Sequence, residues 1–273
     1  MRLHILDHLI KNEWAIDRAY ASRVLPWVMA TVKADIATPD PTIQREKAEP
    51  QKVESDGIAY LFASGTVGKY MGMSESGIDL KDLDASLRAF AADPNFSTLI
   101  LHIDSPGGTV YGVSQTAKLI ERIRASGKTI LGYTDTMACS AAQWIIAACD
   151  KVFVDQNADV GSIGVYSLIL DASKFYEEQG LSFEMFASGK YKGMGMEMFT
   201  LTDEQRILIR ERTEALAAQF RIEMQRMRGP IDPSAMEGQS IRAADAITAN
   251  LADFLVDSID DVIEYAKSLK TNN

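Results

Sequence analysis

The stretch Ser97-Thr98-Leu99-Ile100-Leu101-His102-Ile103-Asp104-Ser105-Pro106-Gly107-Gly108 decides the fold. Its first seven residues form a largely apolar run bounded by turn formers, the pattern of a strand buried on both faces. Paired glycines follow. Val110, Val113, Ala117, Ile120 and Ile123 then recur at helical spacing to about residue 126. A buried strand, a glycine turn and an amphipathic helix make the first half of a parallel β-α-β unit.

The same grammar extends outward in both directions. Residues 58–62 read as a strand and 80–91 as a helix. Beyond the glycine turn, 128–133 read as strand, 140–149 as helix and 151–154 as strand, and 166–190 repeat the alternation. A long helix starts at Thr202, where Thr202 and Gln205 fit a capping box and Ile209, Thr213, Leu216, Phe220, Met224 and Met227 share one face. No internal repeat is visible. Residues 1–35 carry Leu3, Leu6, Leu9 and Ile10 at helical spacing, with Trp14 and Trp27, and are expected to form a helical arm. Pro39, Pro41 and Pro50 mark a charged linker, so the expected division is arm and linker over 1–56 and one α/β domain over 57–273.

Composition narrows the function. The 273 residues are 47% hydrophobic and 24% charged, ordinary values for a globular chain. A net charge of −10, from 28 basic and 38 acidic residues, argues against a nucleic-acid partner, which needs a basic face for phosphates. Cys139 and Cys149 are too few for a disulfide framework, and His4, His8 and His102 are too few for a His-rich metal site. No cofactor or metal is expected. No apolar run approaches the ~18 residues of a membrane span. The first residues are broken by Asp7, His8 and Lys11 and do not read as a signal peptide, so the expected location is the cytoplasm.

Three segments carry candidate chemistry. The turn at residues 104–108 suits an oxyanion hole, because glycines let backbone amides face a ligand; its ordinary reading is a plain strand-to-helix turn. Ser140, at the start of an apolar helix, suits a nucleophile; its ordinary reading is an N-cap, worth about 1 kcal/mol. Ala187-Ser188-Gly189-Lys190-Tyr191-Lys192-Gly193 holds two lysines that read as a solvated basic loop, although a buried lysine can act as a general base. His102, inside a strand, reads as a packed core residue.

Taken together, the segments resemble the signal peptide peptidase A family of serine proteases and its phage branch, the lambda-type head maturation proteases. The resemblance rests on Asp104-Ser105-Pro106-Gly107-Gly108, on Cys139-Ser140-Ala141-Ala142 with the Ala147-Ala148-Cys149-Asp150 that ends its helix, on Gly161-Ser162-Ile163-Gly164-Val165, and on Ser188-Gly189-Lys190-Tyr191-Lys192 followed by Leu201-Thr202-Asp203-Glu204. It covers about residues 57–257. It implies a Clp-protease/crotonase-like fold and a serine endopeptidase with Ser140 as nucleophile and Lys192 as general base. It also implies an oxyanion hole from Gly107 or Gly108 with Ala141, and Ser162 holding the lysine amine.

The chain departs from many family members, which carry Ser-Gly-Gly, by having Ser140-Ala141-Ala142. That form and the Trp14-Ala15-Ile16 arm are similar to the phage branch. Cys139 adjoins the nucleophile, but the family register selects Ser140. The resemblance further implies a protein or peptide substrate and a homo-oligomeric ring in which Lys192 of one protomer meets Ser140 of its neighbour. Two roles follow: capsid maturation inside a phage prohead, or cytoplasmic clearance of signal peptides and misfolded chains. A crotonase-like acyl-CoA enzyme and a non-catalytic assembly subunit are the competing classes.

Overall fold

The computed structural model describes residues 13–16, 51–53, 57–71 and 77–271. Fourteen strands are present among them: β1 (Glu13–Ile16), β2 (Gln51–Val53), β3 (Ile58–Ser64), β4 (Val67–Gly68), β5 (Ile78–Asp79), β6 (Thr98–Asp104), β7 (Gly107–Thr109), β8 (Thr129–Thr134), β9 (Met137–Cys139), β10 (Lys151–Asp155), β11 (Asp159–Gly161), β12 (Tyr166–Ser167), β13 (Ser240–Arg242) and β14 (Phe254–Val256). The helices are α1 (Leu80–Ala92), α2 (Val113–Ala125), α3 (Ala141–Ile146), α4 (Ser173–Glu178), α5 (Asp203–Arg228), α6 (Ala243–Thr248) and α7 (Ile259–Thr271).

The main sheet has the order β14-β10-β8-β6-β3-β2, and every neighbouring pair is parallel except β2 with β3. β6 sits centrally, with Thr98 to Ile103 all buried, as its apolar run predicts. Side chains alternate across the sheet. Leu99, Leu101 and Ile103 join the larger core with Leu87, Phe90 and Ile120 from α1 and α2. Ile100 faces the other way and packs with Ile58, Leu131 and Phe153 under Val262 and Ala266 of α7. Each large apolar side chain fully buried in these layers contributes about 1.5–3 kcal/mol.

Four long strands share one device. β3, β6, β8 and β10 each break after their last paired residue and continue as the short strands β4, β7, β9 and β11, which join two smaller sheets. β7 and β9 then lead into α2 and α3, and β4 reaches α1 through β5. A β-β-α unit therefore recurs, although the sequence shows no repeat. The smaller sheets have the orders β12-β1-β7-β4-β5 and β13-β11-β9.

Two expectations need correction. Glu13–Ile16, read as part of a helical arm, is a strand paired on both sides. Here ladder partners outweigh helical spacing, since local propensity yields readily to tertiary context. Gln51–Val53, read as linker, is likewise a strand, on the edge of the main sheet. The remainder of the expected arm and linker lies outside the described residues. The strand expected before Ser188 is also missing: residues 181–187 are exposed and belong to no strand. At α5, by contrast, the capping box forms as read: Thr202 Oγ1 accepts from the Gln205 amide at 3.3 Å, and Gln205 Oε1 accepts from the Thr202 amide at 3.0 Å.

Candidate active site

Ser140 stands between β9 and α3, at the N-cap position. The ordinary reading of an N-cap serine fails here, because its side chain makes no capping bond. Its Oγ is buried and has no hydrogen-bond partner among the described residues. Its backbone is left-handed, with φ 56°. An unpaired buried hydroxyl costs about 1–3 kcal/mol, and a left-handed non-glycine residue costs a similar amount. The backbone on either side of Ser140 is fixed by β11 and by the first turn of α3. The Ser140 amide donates to the Gly161 carbonyl at 2.6 Å, and the Trp144 amide donates back to the Ser140 carbonyl at 3.0 Å.

The glycine turn lies directly beside this residue. The Ser105 amide donates to the Met137 carbonyl at 2.8 Å, and the Cys139 amide donates to the Ser105 carbonyl at 3.0 Å. Gly107 has φ 97°, and its amide donates to Ser105 Oγ at 3.1 Å. Gly108 is demanded by crowding: a Cβ there would lie 1.9 Å from the Val67 carbonyl oxygen. The turn and the nucleophile are thus stitched together through β9, and Ala141 opens α3 next to Ser140.

Ser162 flanks Ser140 on the opposite side. It is buried with φ 53°, its amide donates to the Gln239 carbonyl at 2.8 Å, and its hydroxyl donates to the Gly238 carbonyl at 3.3 Å. Lys192 is not brought to Ser140 within the chain. It is exposed in a turn, where its amide donates to the Gly189 carbonyl at 3.1 Å. Lys190 is engaged differently: its amine reaches Glu204 at 2.7 Å, and that hydrogen bond holds its pKa above the usual lysine value.

His102 is the packed residue expected. Its Nδ1 lies 2.7 Å from Tyr60 Oη and its Nε2 3.0 Å from Asp135 Oδ1, with Tyr133 and Phe62 against the ring. Burial, with help from Asp135, pushes the Tyr133 hydroxyl up to about 12. Cys139 is buried with its sulfur 3.5 Å from the Asp159 carbonyl, and burial pushes the Cys149 thiol up to about 12. Neither cysteine is poised for attack.

One residue escaped the sequence reading. Glu223 on α5 is buried and accepts from Ser114 Oγ of α2 at 2.8 Å and from Trp144 Nε1 of α3 at 3.0 Å, with Lys118 Nζ at 3.5 Å. Burial alone would raise its pKa, but the Ser114, Trp144 and Gln219 hydrogen bonds and Lys118 hold it below the usual carboxylate value. It ties the helix after the glycine turn, the helix after Ser140 and the long helix after Lys192 into one unit. Nothing in its sequence neighbourhood marks it, since acidic residues recur throughout α5.

Comparison with known proteins adds the lineage. The chain is 30% identical over 214 residues to the capsid assembly protease C of Escherichia phage lambda, covering 75% of this chain and 48% of that protein. It is 29% identical over 227 residues to the head-tail preconnector protein GP5 of Enterobacteria phage P21, covering 80% and 44%. A putative signal peptide peptidase SppA of Enterococcus faecium is 28% identical over 125 residues, covering 46% of this chain and 36% of that one. The chain thus spans about half the length of the phage relatives it matches. Among solved structures, ClpP1 of Listeria monocytogenes superposes with a TM-score of 0.48 at 11% identity, covering 74% of this chain and 92% of that one. An enoyl-CoA hydratase of Mycobacterium smegmatis superposes with 0.48 at 13% identity, covering 82% and 76%. None of the helices among the described residues is long and apolar enough to cross a membrane. Residues 122–273, more than half the chain, match Peptidase family S49, and the chain belongs to that family.

Proposed function

We propose that the protein is a serine endopeptidase in which Ser140 attacks the peptide carbonyl and Lys192 is the general base. The observation that carries this reading is the Ser140 hydroxyl itself: buried, unpartnered and held on a left-handed backbone at a helix start. Strain and an orphaned polar atom on one residue are hard to explain as packing and are common at reacting groups.

The amine of Lys192, acting as base, takes the Ser140 proton as Oγ bonds to the carbonyl carbon. The resulting oxyanion is met by amides of the glycine turn, at Gly107 or Gly108, and by that of Ala141. Lys192 then returns the proton to the departing amine, and water hydrolyses the acyl-enzyme by the same route. Ser162, next to Ser140, holds the lysine amine.

Lys192 is supplied by a neighbouring protomer in an oligomer, completing a site that is incomplete in one chain. Its exposure supports this, as does the apolar surface around it: Phe183, Met185, Phe186 and Tyr191 are all exposed, Phe186 by 93%. Apolar surface of this kind favours burial against another protein surface. The names of the phage relatives support head-assembly proteins as the substrate class and a prohead as the place of action.

The test is labelling with a fluorophosphonate probe followed by peptide mapping, alongside casein turnover. The proposal expects label on Ser140 and no turnover by Ser140→Ala. Turnover by that variant equal to wild type rejects it.

A further inference from the structure

β1 occupies an unusual position. It runs antiparallel to β7 on one side, pairing Trp14 with Thr109, Ala15 with Gly108 and Ile16 with Gly107. On its other side it runs antiparallel to β12, pairing Glu13 with Ser167 and Trp14 with Tyr166. β7 and β12 do not pair with each other; β1 fills the slot between them.

Both walls of that slot lead away from Ser140. One begins at Ser105, bonded to β9 just before the nucleophile, and continues through Gly107 into β7. The other begins at Gly161, whose carbonyl accepts the Ser140 amide, and continues past Ser162 into β12. The chain between the walls therefore runs alongside the glycines proposed to hold the oxyanion, with Ala15 and Ile16 opposite them. Main-chain pairing to two exposed strand edges is a general way to hold an extended peptide, and it reads backbone rather than side chains.

We propose that β1 is a self-occupant of the slot between β7 and β12: this chain's own strand sits where an extended polypeptide would pair and keeps the nucleophile covered until the arm leaves. The gating half of this proposal rests on the protease reading above; the slot and its occupant do not. The buried state of Ser140 Oγ fits a covered site. A four-residue strand makes few ladder bonds and is displaceable, yet its covalent tether gives it an effective concentration of about millimolar. A competing peptide must be abundant, or the arm must be drawn off by another contact.

The test uses the full chain. In a Ser140→Ala background, where nothing is cleaved, Ala15→Pro removes the backbone N–H in the middle of β1 and disfavours the strand. The probe is a fluorescein-labelled synthetic peptide of residues 10–20, followed by anisotropy. Ala15→Pro should bind it about tenfold or more tightly than its parent, because the tethered competitor is gone. Equal affinity for the two chains, or binding to neither, overturns the proposal.

Should Ala15→Pro fail to fold, a site for a sequence-specific protease inserted between residues 40 and 41 allows the arm to be cut after folding. Peptide binding should then rise on cutting, and an unchanged affinity overturns the proposal. Gating is read separately on chains that retain Ser140. Fluorophosphonate labelling should be about tenfold faster with Ala15→Pro, and equal rates overturn the gate. No labelling of either chain, together with gained peptide binding, rejects the serine-protease reading and leaves the slot standing.

Discussion

Ser140 and Ser162 stand side by side, each one residue beyond the paired positions Cys139 and Gly161 of β9 and β11, and both have a left-handed backbone, with φ 56° and 53°. Parallel pairing carries both strands to the same depth before each turns. The chain then runs from Ser140 into α3 and from Ser162 toward β12. Among the described residues the Ser140 hydroxyl has no partner, and that of Ser162 donates to the Gly238 carbonyl.

Ser140→Ala should abolish proteolysis and leave the protein as stable as wild type or more so. The hydroxyl makes no capping bond, so its removal loses none; it removes an unpaired buried polar group, a gain of about 1 kcal/mol. Chemical denaturation of the two proteins checks this. A loss of about 1 kcal/mol would restore the capping role.

Gly108→Ala should be severe. A Cβ 1.9 Å from the Val67 carbonyl oxygen cannot be relieved by a side-chain rotation, so β4 and β7 must separate, at about 3 kcal/mol or more. Gly127→Ala is the control: no atom lies within 4 Å of its Cβ and only its φ of 94° is unfavourable, so about 1 kcal/mol is expected. Midpoints in urea compare them.

Glu223→Gln should destabilise the protein in a pH-dependent way. The carboxylate's pKa is lower in the folded protein than the ordinary value of 4.5, so its stabilisation is fully present above that value. It is lost as pH falls through the lowered folded value. The stability gap between wild type and variant should therefore be widest near neutrality and close in acid. A gap of constant size from neutral pH to about pH 3 would show that charge is not involved. Because Glu223 bonds Trp144 on the helix after Ser140, turnover should fall along with stability.

Mixing inactive Ser140→Ala with inactive Lys192→Ala should restore part of the activity if neighbouring protomers share the site. No recovery, under conditions where subunits exchange, would place the dyad within one chain. Lys192→Arg should be inactive, since guanidinium stays charged. Lys190→Ala should keep most activity, because its amine is already taken by Glu204 in an exposed pair. Casein turnover separates these outcomes.

Much of the site was readable because its parts are local. Asp104-Ser105-Pro106-Gly107-Gly108 declares a turn after a buried strand, and Thr202 with Gln205 declares a helix start, through interactions spanning a few residues. Glu223 was not readable, because its partners Ser114 and Trp144 are 109 and 79 residues away. The role of Glu13–Ile16 was missed for a related reason: a short segment's conformation is set by what it pairs with, and its partners lie near residues 108 and 166.

The succession of the main strands and helices and the glycine turn were legible in the amino-acid sequence, because apolar period, turn chemistry and capping act within one segment; Ser140 and Lys192 were singled out by the family resemblance of their segments. Tertiary structure decided that Ser140 is strained and, among the described residues, unpartnered rather than a cap, that Lys192 is exposed in a turn and makes no bond to it, and that β1 lies between β7 and β12. These properties depend on how separate segments meet. The repeated β-β-α unit belongs to the same class: it is a repetition of packing, satisfied by different residues each time, and it leaves no repeat in the sequence to read.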